Sequence, residues 1–114
     1  MITLYGIANC DTIKKAKCWL EAADLEYEFH DYKKQGCSSE LAKRFLQQFE
    51  LDKLVNKRGT TWRKLPEPQK NNLDTESAVA LMASQPSIIK RPIVKVGNQW
   101  LIGFDAKHWQ SMLT

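Results

Sequence analysis

A cysteine at the junction between a short apolar strand and a helix is the strongest candidate for a reacting group in this chain. Cys10 follows the mostly apolar residues 2–7 and precedes a helix-like run that begins at Asp11. The first turn of a helix has free backbone N–H groups and a partial positive charge, and both favour a thiolate over a thiol. Because the thiolate is the nucleophilic form of sulfur, we predict that Cys10 is a catalytic nucleophile.

Several basic and polar side chains are candidates for binding an anion, and among them Arg91 lies at the entry of a predicted core strand. Arginine offers a rigid fork of donors that matches oxyanions and carboxylates, and a nearby lysine adds positive potential to a thiolate. Lys14 follows Cys10 by about one helical turn. The residues predicted to bind an anion are Arg91, Arg58, Lys14, Asn9 and Thr12.

The other cysteines are weaker candidates than Cys10. The third position after Cys10 is Ile13, so the chain lacks a CxxC dithiol, and an external thiol would have to complete a redox cycle. Cys18 would lie about 12 Å from Cys10 along a helix, too far for a disulfide, and we interpret it as a packing residue. The sequence leaves the distance between Cys37 and Cys10 open.

Proline and histidine positions permit more than one interpretation. Pro92 precedes a predicted core strand, where a proline costs no ladder hydrogen bond, and most bonds before proline are trans. A cis bond that places the backbone beside Cys10 is the alternative. His30 and His108 are predicted to have structural or surface roles, since no spacing typical of metal ligands surrounds them.

Length and composition predict a single cytoplasmic domain over residues 1–114. The 114 residues are 43% hydrophobic and 26% charged, as in ordinary globular domains. No apolar stretch is long enough for a membrane span, no secretory signal is visible, and three cysteines argue against a disulfide scaffold. The basic residues behind the net charge of +4 are spread along the chain, which does not favour nucleic-acid binding.

Apolar periodicity predicts that the chain begins as strand, helix and strand. Residues 26–31 alternate charged with aromatic side chains, which predicts a second strand. A crossover through the helix would make the two strands parallel. The apolar stripe that predicts the helix consists of Ile13, Ala16, Leu20 and Ala23.

The remaining elements are predicted from caps and turns. A helical insertion is expected at about residues 38–84, with Ser38 and Asp74 as N-caps of two of its helices. The dipeptide Gly97-Asn98 between two apolar runs predicts a β-hairpin. Asp105 is expected to cap a final helix. The predicted order of elements is βα-β-(ααα)-α-ββ-α.

Three strings of residues are specific enough to indicate a family. They are Tyr-Gly-Ile-Ala-Asn-Cys-Asp-Thr-Ile-Lys-Lys-Ala at 5–16, Arg-Pro-Ile-Val at 91–94 and Leu-Ile-Gly-Phe at 101–104. With the order of elements, they resemble the family of arsenate reductases (ArsC) and Spx regulators, in particular its YffB-like branch. The resemblance implies a thioredoxin-like α/β fold, with a mixed four-stranded sheet and an all-helical insertion between the second and third strands.

The same resemblance assigns roles to individual residues. Cys10 corresponds to the nucleophile, Pro92 to a cis-proline of the active site, and Arg91 to an arginine that faces the sulfur. Arg58 falls at a basic position shared with the Spx branch. These roles are implications of the resemblance.

Three positions depart from the family's two best-known patterns. Asn56 and Gly103 stand where arsenate reductases have arginines, which argues against arsenate turnover. Ile13 removes the CxxC of Spx proteins, which argues against a dithiol switch.

The resemblance and the lone cysteine together predict a glutathione-dependent thiol reductase or a related thiol-transfer enzyme. Glutathione is the expected co-substrate and resolving thiol, held by the predicted anion-binding residues, and no permanently bound cofactor is expected. The expected substrate is a small disulfide or an oxyanion, and glutaredoxin is a second candidate for the resolving partner. The alternatives are an arsenate reductase and an Spx-like regulator or adaptor that binds RNA polymerase, with Trp62 and Trp100 in an exposed contact surface.

Overall fold

A computed structural model describes residues 2–71 and 73–114 of the chain. Their contacts form two compact units, one made of Met1–Gln35 with Arg91–Thr114 and the other of Gly36–Lys90. The strands are β1 Ile2–Gly6, β2 Tyr27–Asp31, β3 Ile93–Val96 and β4 Gln99–Ile102. The helices are α1 Asp11–Ala22, α2 Tyr32–Gln35, α3 Ser39–Gln48, α4 Leu51–Leu54, α5 Thr60–Arg63, α6 Glu67–Asn71, α7 Thr75–Ser84 and α8 Ala106–Leu113.

The first unit contains a mixed sheet with the strand order β2-β1-β3-β4. β1 is parallel to β2 and antiparallel to β3, and Gly97 and Asn98 connect β3 to β4 as a hairpin. This confirms the predicted thioredoxin-like α/β fold. Strand β2 begins at Tyr27, one residue after the predicted start.

One face of this sheet is covered by α1 and α8. Residues of β1, β3 and β4 form a core cluster with Ala16, Leu20 and Trp109 from these helices. The stripe predicted for α1 is confirmed at its three buried residues, while Ala23 lies just after the helix end and is half-buried. The helix therefore presents its apolar side to the sheet, and this orientation positions its N-terminus at the end of β1.

Trp109 is the largest fully buried side chain of α8. Its ring makes edge-on contacts with Trp19 and Phe104, at centroid distances of 5.6 Å and 4.9 Å. Its indole N–H donates to the Gly103 carbonyl at 3.2 Å. The indole is thus packed on its apolar sides and has a partner for its polar atom.

The second unit is helical and contains the predicted insertion. The predicted N-caps are confirmed: the Ser38 side chain accepts from the Leu41 N–H, and Asp74 forms a capping box with Ser77. These caps satisfy N–H groups that the first turn of each helix leaves free. Helix α3 packs against α7. No helix in the described parts of the chain is both long and apolar enough to span a membrane.

Candidate active site

Cys10 lies at the N-cap position of α1, immediately outside the first helical residue. Its backbone is extended, with φ −149° and ψ 126°, as is usual for an N-cap. In this position the side chain lies beside the N–H groups of Thr12 and Ile13, the second and third residues of the helix. The Cys10 side chain is half-buried, so the sulfur stays open to a reagent.

Arg91 reaches this sulfur because β1 and β3 are antiparallel. Tyr5 pairs with Ile93, so the residues that precede β3 lie beside the end of β1. Arg91 lies there, and its guanidinium hydrogen-bonds the Cys10 sulfur. Two residues far apart in the sequence therefore meet at the same end of the two central strands.

The balance of effects on Cys10 favours the thiolate. Burial, the largest single effect, raises the pKa of Cys10. The N–H of Ile13, the hydrogen bond and the charge of Arg91, and the N–H of Thr12 together outweigh burial. The pKa of Cys10 therefore lies below its ordinary value.

Pro92 follows Arg91 through a cis peptide bond. The family resemblance implied this isomer. The trans bond expected from the residue type alone is wrong, because that expectation used only the general preference of bonds before proline for trans. Pro92 is fully buried, and its carbonyl accepts from the Gly103 N–H at 2.8 Å.

Gly103 has a structural reason to be glycine. Its φ of 78° lies in the left-handed region, which residues with a Cβ rarely adopt. Its carbonyl also accepts the hydrogen bond from Trp109. Where arsenate reductases have an arginine, this chain thus has a backbone conformation that favours glycine.

Gly6 is a site residue that the sequence analysis did not identify. A methyl group built on Gly6 would lie 2.3 Å from Cδ1 of Ile13 and 3.9 Å from Cδ of Arg91. Gly6 therefore leaves room for two residues that act on the Cys10 sulfur. Gly6 lies four positions before Cys10, and this closeness was the only sign in the sequence that it belongs to the site. No local pattern shows that the side chains of Ile13 and Arg91 pack against it.

Substitution of Gly6 by alanine is expected to disturb both stability and the sulfur. Ile13 has 0% exposure, so its side chain has little room to move away from the new methyl group. We expect the free energy of unfolding to fall by about 1–3 kcal/mol and the pKa of Cys10 to rise as the Ile13 N–H shifts. Urea unfolding and the pH dependence of Cys10 alkylation measure the two effects.

Gly59→Ala is the matched control, because a methyl group at Gly59 would meet Asn56 at 3.1 Å, in the other unit. It should leave the pKa of Cys10 unchanged. An unchanged stability and an unchanged pKa in Gly6→Ala would contradict the role given to Gly6.

The other predicted anion-binding residues occupy different surroundings. Thr12 is half-buried and contributes its backbone N–H to the sulfur, whereas Asn9 and Lys14 are exposed. Lys14 is not among the groups that lower the pKa of Cys10. Arg58 is exposed in the second unit, where its backbone N–H donates to Oδ1 of Asn56 at 3.2 Å. The anion-binding roles of all four residues remain predictions.

The other two cysteines differ from Cys10 in exposure, and Cys37 differs from it in the pKa of its thiol as well. The interpretation of Cys18 as a packing residue is wrong: its side chain is exposed, because the apolar stripe of α1 faces the opposite way. Cys37 is 5% exposed, and burial raises the pKa of its thiol to about 11. Cys37 is therefore a protonated thiol at neutral pH.

The histidines and acids do not form a metal centre in the parts of the chain that the structure describes. Within residues 2–71 and 73–114, no three His, Cys, Asp or Glu side chains come together as metal ligands do. His30 is half-buried and packs against Tyr5 and Tyr32, at ring centroid distances of 5.1 Å and 5.7 Å. His108 is exposed on α8.

The fold and the site define a thioredoxin-like protein with a cysteine at the N-terminus of its first helix, an arginine at its sulfur and a cis-proline after that arginine. The sequence profile of the ArsC family matches residues 5–112. The chain therefore belongs to the ArsC family, as the resemblance implied.

Individual relatives agree with this assignment. An uncharacterized protein of Haemophilus influenzae is 47% identical over 111 residues, which cover 97% of each chain. The Spx global transcriptional regulator of Listeria innocua is 26% identical over 107 residues, which cover 92% of this chain and 81% of the regulator.

Two solved structures are similar to the chain along nearly its whole length, and one of them is a YffB protein. The YffB protein is 42% identical, with a TM-score of 0.96 over the full length of both chains. A protein related to arsenate reductase from Brucella melitensis is 44% identical, with a TM-score of 0.78 over 99% of this chain and 94% of the other.

Proposed function

We propose that this protein is a glutathione-dependent thiol reductase or thiol-transfer enzyme that uses Cys10 as its single nucleophile. The observation that carries the proposal is the half-exposed sulfur of Cys10, whose pKa is lowered by helix N–H groups and by Arg91. A reactive cysteine needs these two properties together, ionisation and access.

The proposed reaction consists of two thiol–disulfide exchanges. The Cys10 thiolate attacks one sulfur of a mixed disulfide, its bond to that sulfur forms as the S–S bond breaks, and the other sulfur leaves as a thiolate. The thiolate of glutathione then attacks the sulfur bound to Cys10. This second exchange releases a disulfide that contains glutathione and regenerates the Cys10 thiolate. With a mixed disulfide of glutathione, Cys10 takes the glutathionyl sulfur and the substrate leaves as a thiol. One free glutathione is then consumed per cycle, and the disulfide released is oxidised glutathione.

An external thiol is required because this chain offers poor resolving cysteines. Cys37 is buried and protonated at neutral pH. Cys18 is eight residues along α1 from the N-cap, a separation of about 12 Å that no disulfide spans. Glutathione meets the requirement as a small thiol with carboxylates that an arginine can hold.

Arg91 has two tasks in this proposal. Its guanidinium stabilises the Cys10 thiolate before attack, and its further N–H donors can hold an anionic group of glutathione or of an oxyanion substrate. Asn9, Thr12 and Lys14, which belong to the same unit as Cys10, are proposed as further contacts for these anions.

The pH dependence of Cys10 alkylation tests the proposal. In a Cys18→Ser background, the rate with iodoacetamide should rise with pH to a midpoint below that of free glutathione measured in the same assay. Arg91→Gln should move the midpoint upward, because the thiolate loses a hydrogen bond and a positive charge. Lys14→Gln should move the midpoint less than Arg91→Gln, because Lys14 is exposed and is not among the groups that lower the pKa of Cys10.

Arg44→Gln, an exposed arginine on α3 in the other unit, is the matched control and should leave the midpoint unchanged. Oxidised glutathione added to the solution should protect Cys10 from alkylation, because it forms a mixed disulfide with the thiolate. An ordinary midpoint in the parent protein would remove the basis of the proposed mechanism, and an unchanged midpoint in Arg91→Gln would remove the role of Arg91.

A regulator or adaptor is the second candidate, because an Spx regulator matches 92% of this chain. As an adaptor, the protein would bind RNA polymerase without turnover, and Cys10→Ser would keep the partner in a pull-down with purified polymerase. The exposed aromatic surface expected for this function is not present as predicted, since Trp62 and Trp100 are both half-buried. Trp100 stacks on Tyr5 at 6.0 Å.

Arsenate reduction is a narrower form of the enzymatic proposal. It would use Cys10 to form a thiol adduct with arsenate, which glutathione would then reduce. An assay of arsenate reduction with glutathione and glutaredoxin distinguishes it from disulfide reduction. The glycine at position 103 leads us to expect a slower rate with arsenate than with a glutathione mixed disulfide.

A further inference from the structure

A second concentration of positive charge lies within the Gly36–Lys90 unit. A cleft of about 450 Å³ is lined there by four cationic side chains and one carboxylate. Clefts of this volume are typical of small-molecule sites. The polar residues that line it are Lys53, Lys57, Arg58, Lys90, Asp52 and Asn56.

The base of this cleft is a fixed piece of backbone. Val55 pairs with Ile89 in an antiparallel bridge, and the Lys90 N–H donates to the Leu54 carbonyl at 2.7 Å. Leu54 and Ile89 have 0% exposure, so their side chains anchor both segments in the core of the unit. The bridge therefore holds Lys90 close to a lysine and arginine that precede it by some thirty positions.

The positive charge of the cleft is not balanced within the described chain. The ion pair found there joins Nζ of Lys57 to Oδ1 of Asp52 at 3.5 Å, and both side chains are largely exposed, so this pair contributes little stability. In residues 2–71 and 73–114, no carboxylate pairs with Lys53, Arg58 or Lys90. Like charges around a concave surface repel one another, and an anion bound between them would relieve this repulsion.

We infer that this cleft binds a small multivalent oxyanion of the phosphate class, such as a pyrophosphate group. Lysine and arginine donors around a concave surface match phosphate oxygens, and an arginine can contact two of them at once. A nucleic-acid backbone needs an extended cationic groove, whereas this cleft has the size of a small ligand. The inference depends on the second unit alone and goes beyond the proposed chemistry of Cys10.

Titration of the full chain with pyrophosphate tests the inference. Calorimetry at low ionic strength should show one saturable site that weakens as salt is added. Pyrophosphate should also raise the melting temperature, because it binds the folded state alone. In the double variant Lys53→Gln with Lys90→Gln, we expect the affinity to fall at least about fivefold.

The matched control is Lys43→Gln with Arg44→Gln, which removes two exposed charges from α3 outside the cleft and should leave the affinity unchanged. Amide NMR shifts in the unmodified protein provide a second measurement: pyrophosphate should move the signals of Asn56 and Lys57. Absence of saturable binding, equal losses in the two double variants, or shifts confined to the other unit would overturn the inference.

The affinities of a smaller and a larger anion test the size of ligand that the cleft binds. Inorganic phosphate should bind more weakly than pyrophosphate because it carries fewer charges and fewer acceptors. If a single-stranded oligonucleotide bound more tightly than pyrophosphate and lost its affinity in the same cleft variant, the assignment to a small ligand would be wrong. Cys10→Ser should bind pyrophosphate normally, and the cleft variant should keep its Cys10 alkylation profile, so this inference and the proposed function fail separately.

Discussion

Replacement of Cys10 by serine is expected to lower the rate of glutathione-dependent disulfide reduction at least about a thousandfold. The helix N–H groups and Arg91 favour a thiolate because an ordinary thiol already ionises close to neutral pH. They cannot bring a serine hydroxyl into that range, and an oxygen cannot form the mixed disulfide of the proposed cycle. The measurement is NADPH consumption in an assay coupled through glutathione reductase.

The other cysteines provide the controls for this prediction. Cys18→Ser should keep the parent rate, because Cys18 is exposed on α1 away from the sulfur of Cys10. Cys37→Ala should also keep the rate, with a modest loss of stability from its buried position. A Cys10→Ser protein that retained turnover, or a Cys18→Ser protein that lost it, would contradict a mechanism based on one cysteine.

The largest effect on stability is expected at Trp109. Trp109→Ala should lower the free energy of unfolding by about 3–5 kcal/mol, because it removes a fully buried ring and leaves a cavity. The substitution deletes the edge-on contacts with Trp19 and Phe104 and leaves the Gly103 carbonyl without its indole donor. Urea unfolding followed by far-ultraviolet circular dichroism measures the change.

Two further substitutions separate the contributions at this position. Trp109→Phe keeps an aromatic ring against Trp19 and removes the hydrogen bond to Gly103, so its cost should be clearly smaller. Trp100→Ala changes a half-buried tryptophan of the same sheet and should also cost less than Trp109→Ala. A loss below about 1 kcal/mol in Trp109→Ala would show that α8 is not held by this core.

The elements of the chain were predictable because their signals are local. The stripe of α1, the caps at Ser38 and Asp74 and the hairpin at Gly97-Asn98 each involve residues within a few positions of one another. Backbone hydrogen bonding and burial within one element decide such features. Short elements were less predictable, and the one-turn helix α2 was not anticipated because four residues carry too little periodicity.

The candidate site was predictable only in part, for the same reason. Cys10 at the start of a helix is a local feature, and its position at the N-cap could be expected from the sequence. The residues that act on its sulfur were harder to identify from local patterns. Spacing suggested Lys14, one turn away, but Lys14 is exposed, whereas Arg91, which the family resemblance alone assigned to the sulfur, acts on it. For Gly6 the sequence offered only its closeness to Cys10, because the contribution of Gly6 consists of space left for side chains of other elements.

The amino-acid sequence by itself determined the order of the strands and the longer helices, the caps and the prediction of Cys10 as the reacting group. Only the tertiary structure decided that Arg91 lies at the sulfur and that Lys90 joins a separate cluster of cations. Antiparallel pairing of β1 with β3 brings Arg91 to Cys10, and the bridge between Val55 and Ile89 fixes Lys90. Such pairings depend on how elements far apart in the chain pack together, and no local pattern of residue types specifies them.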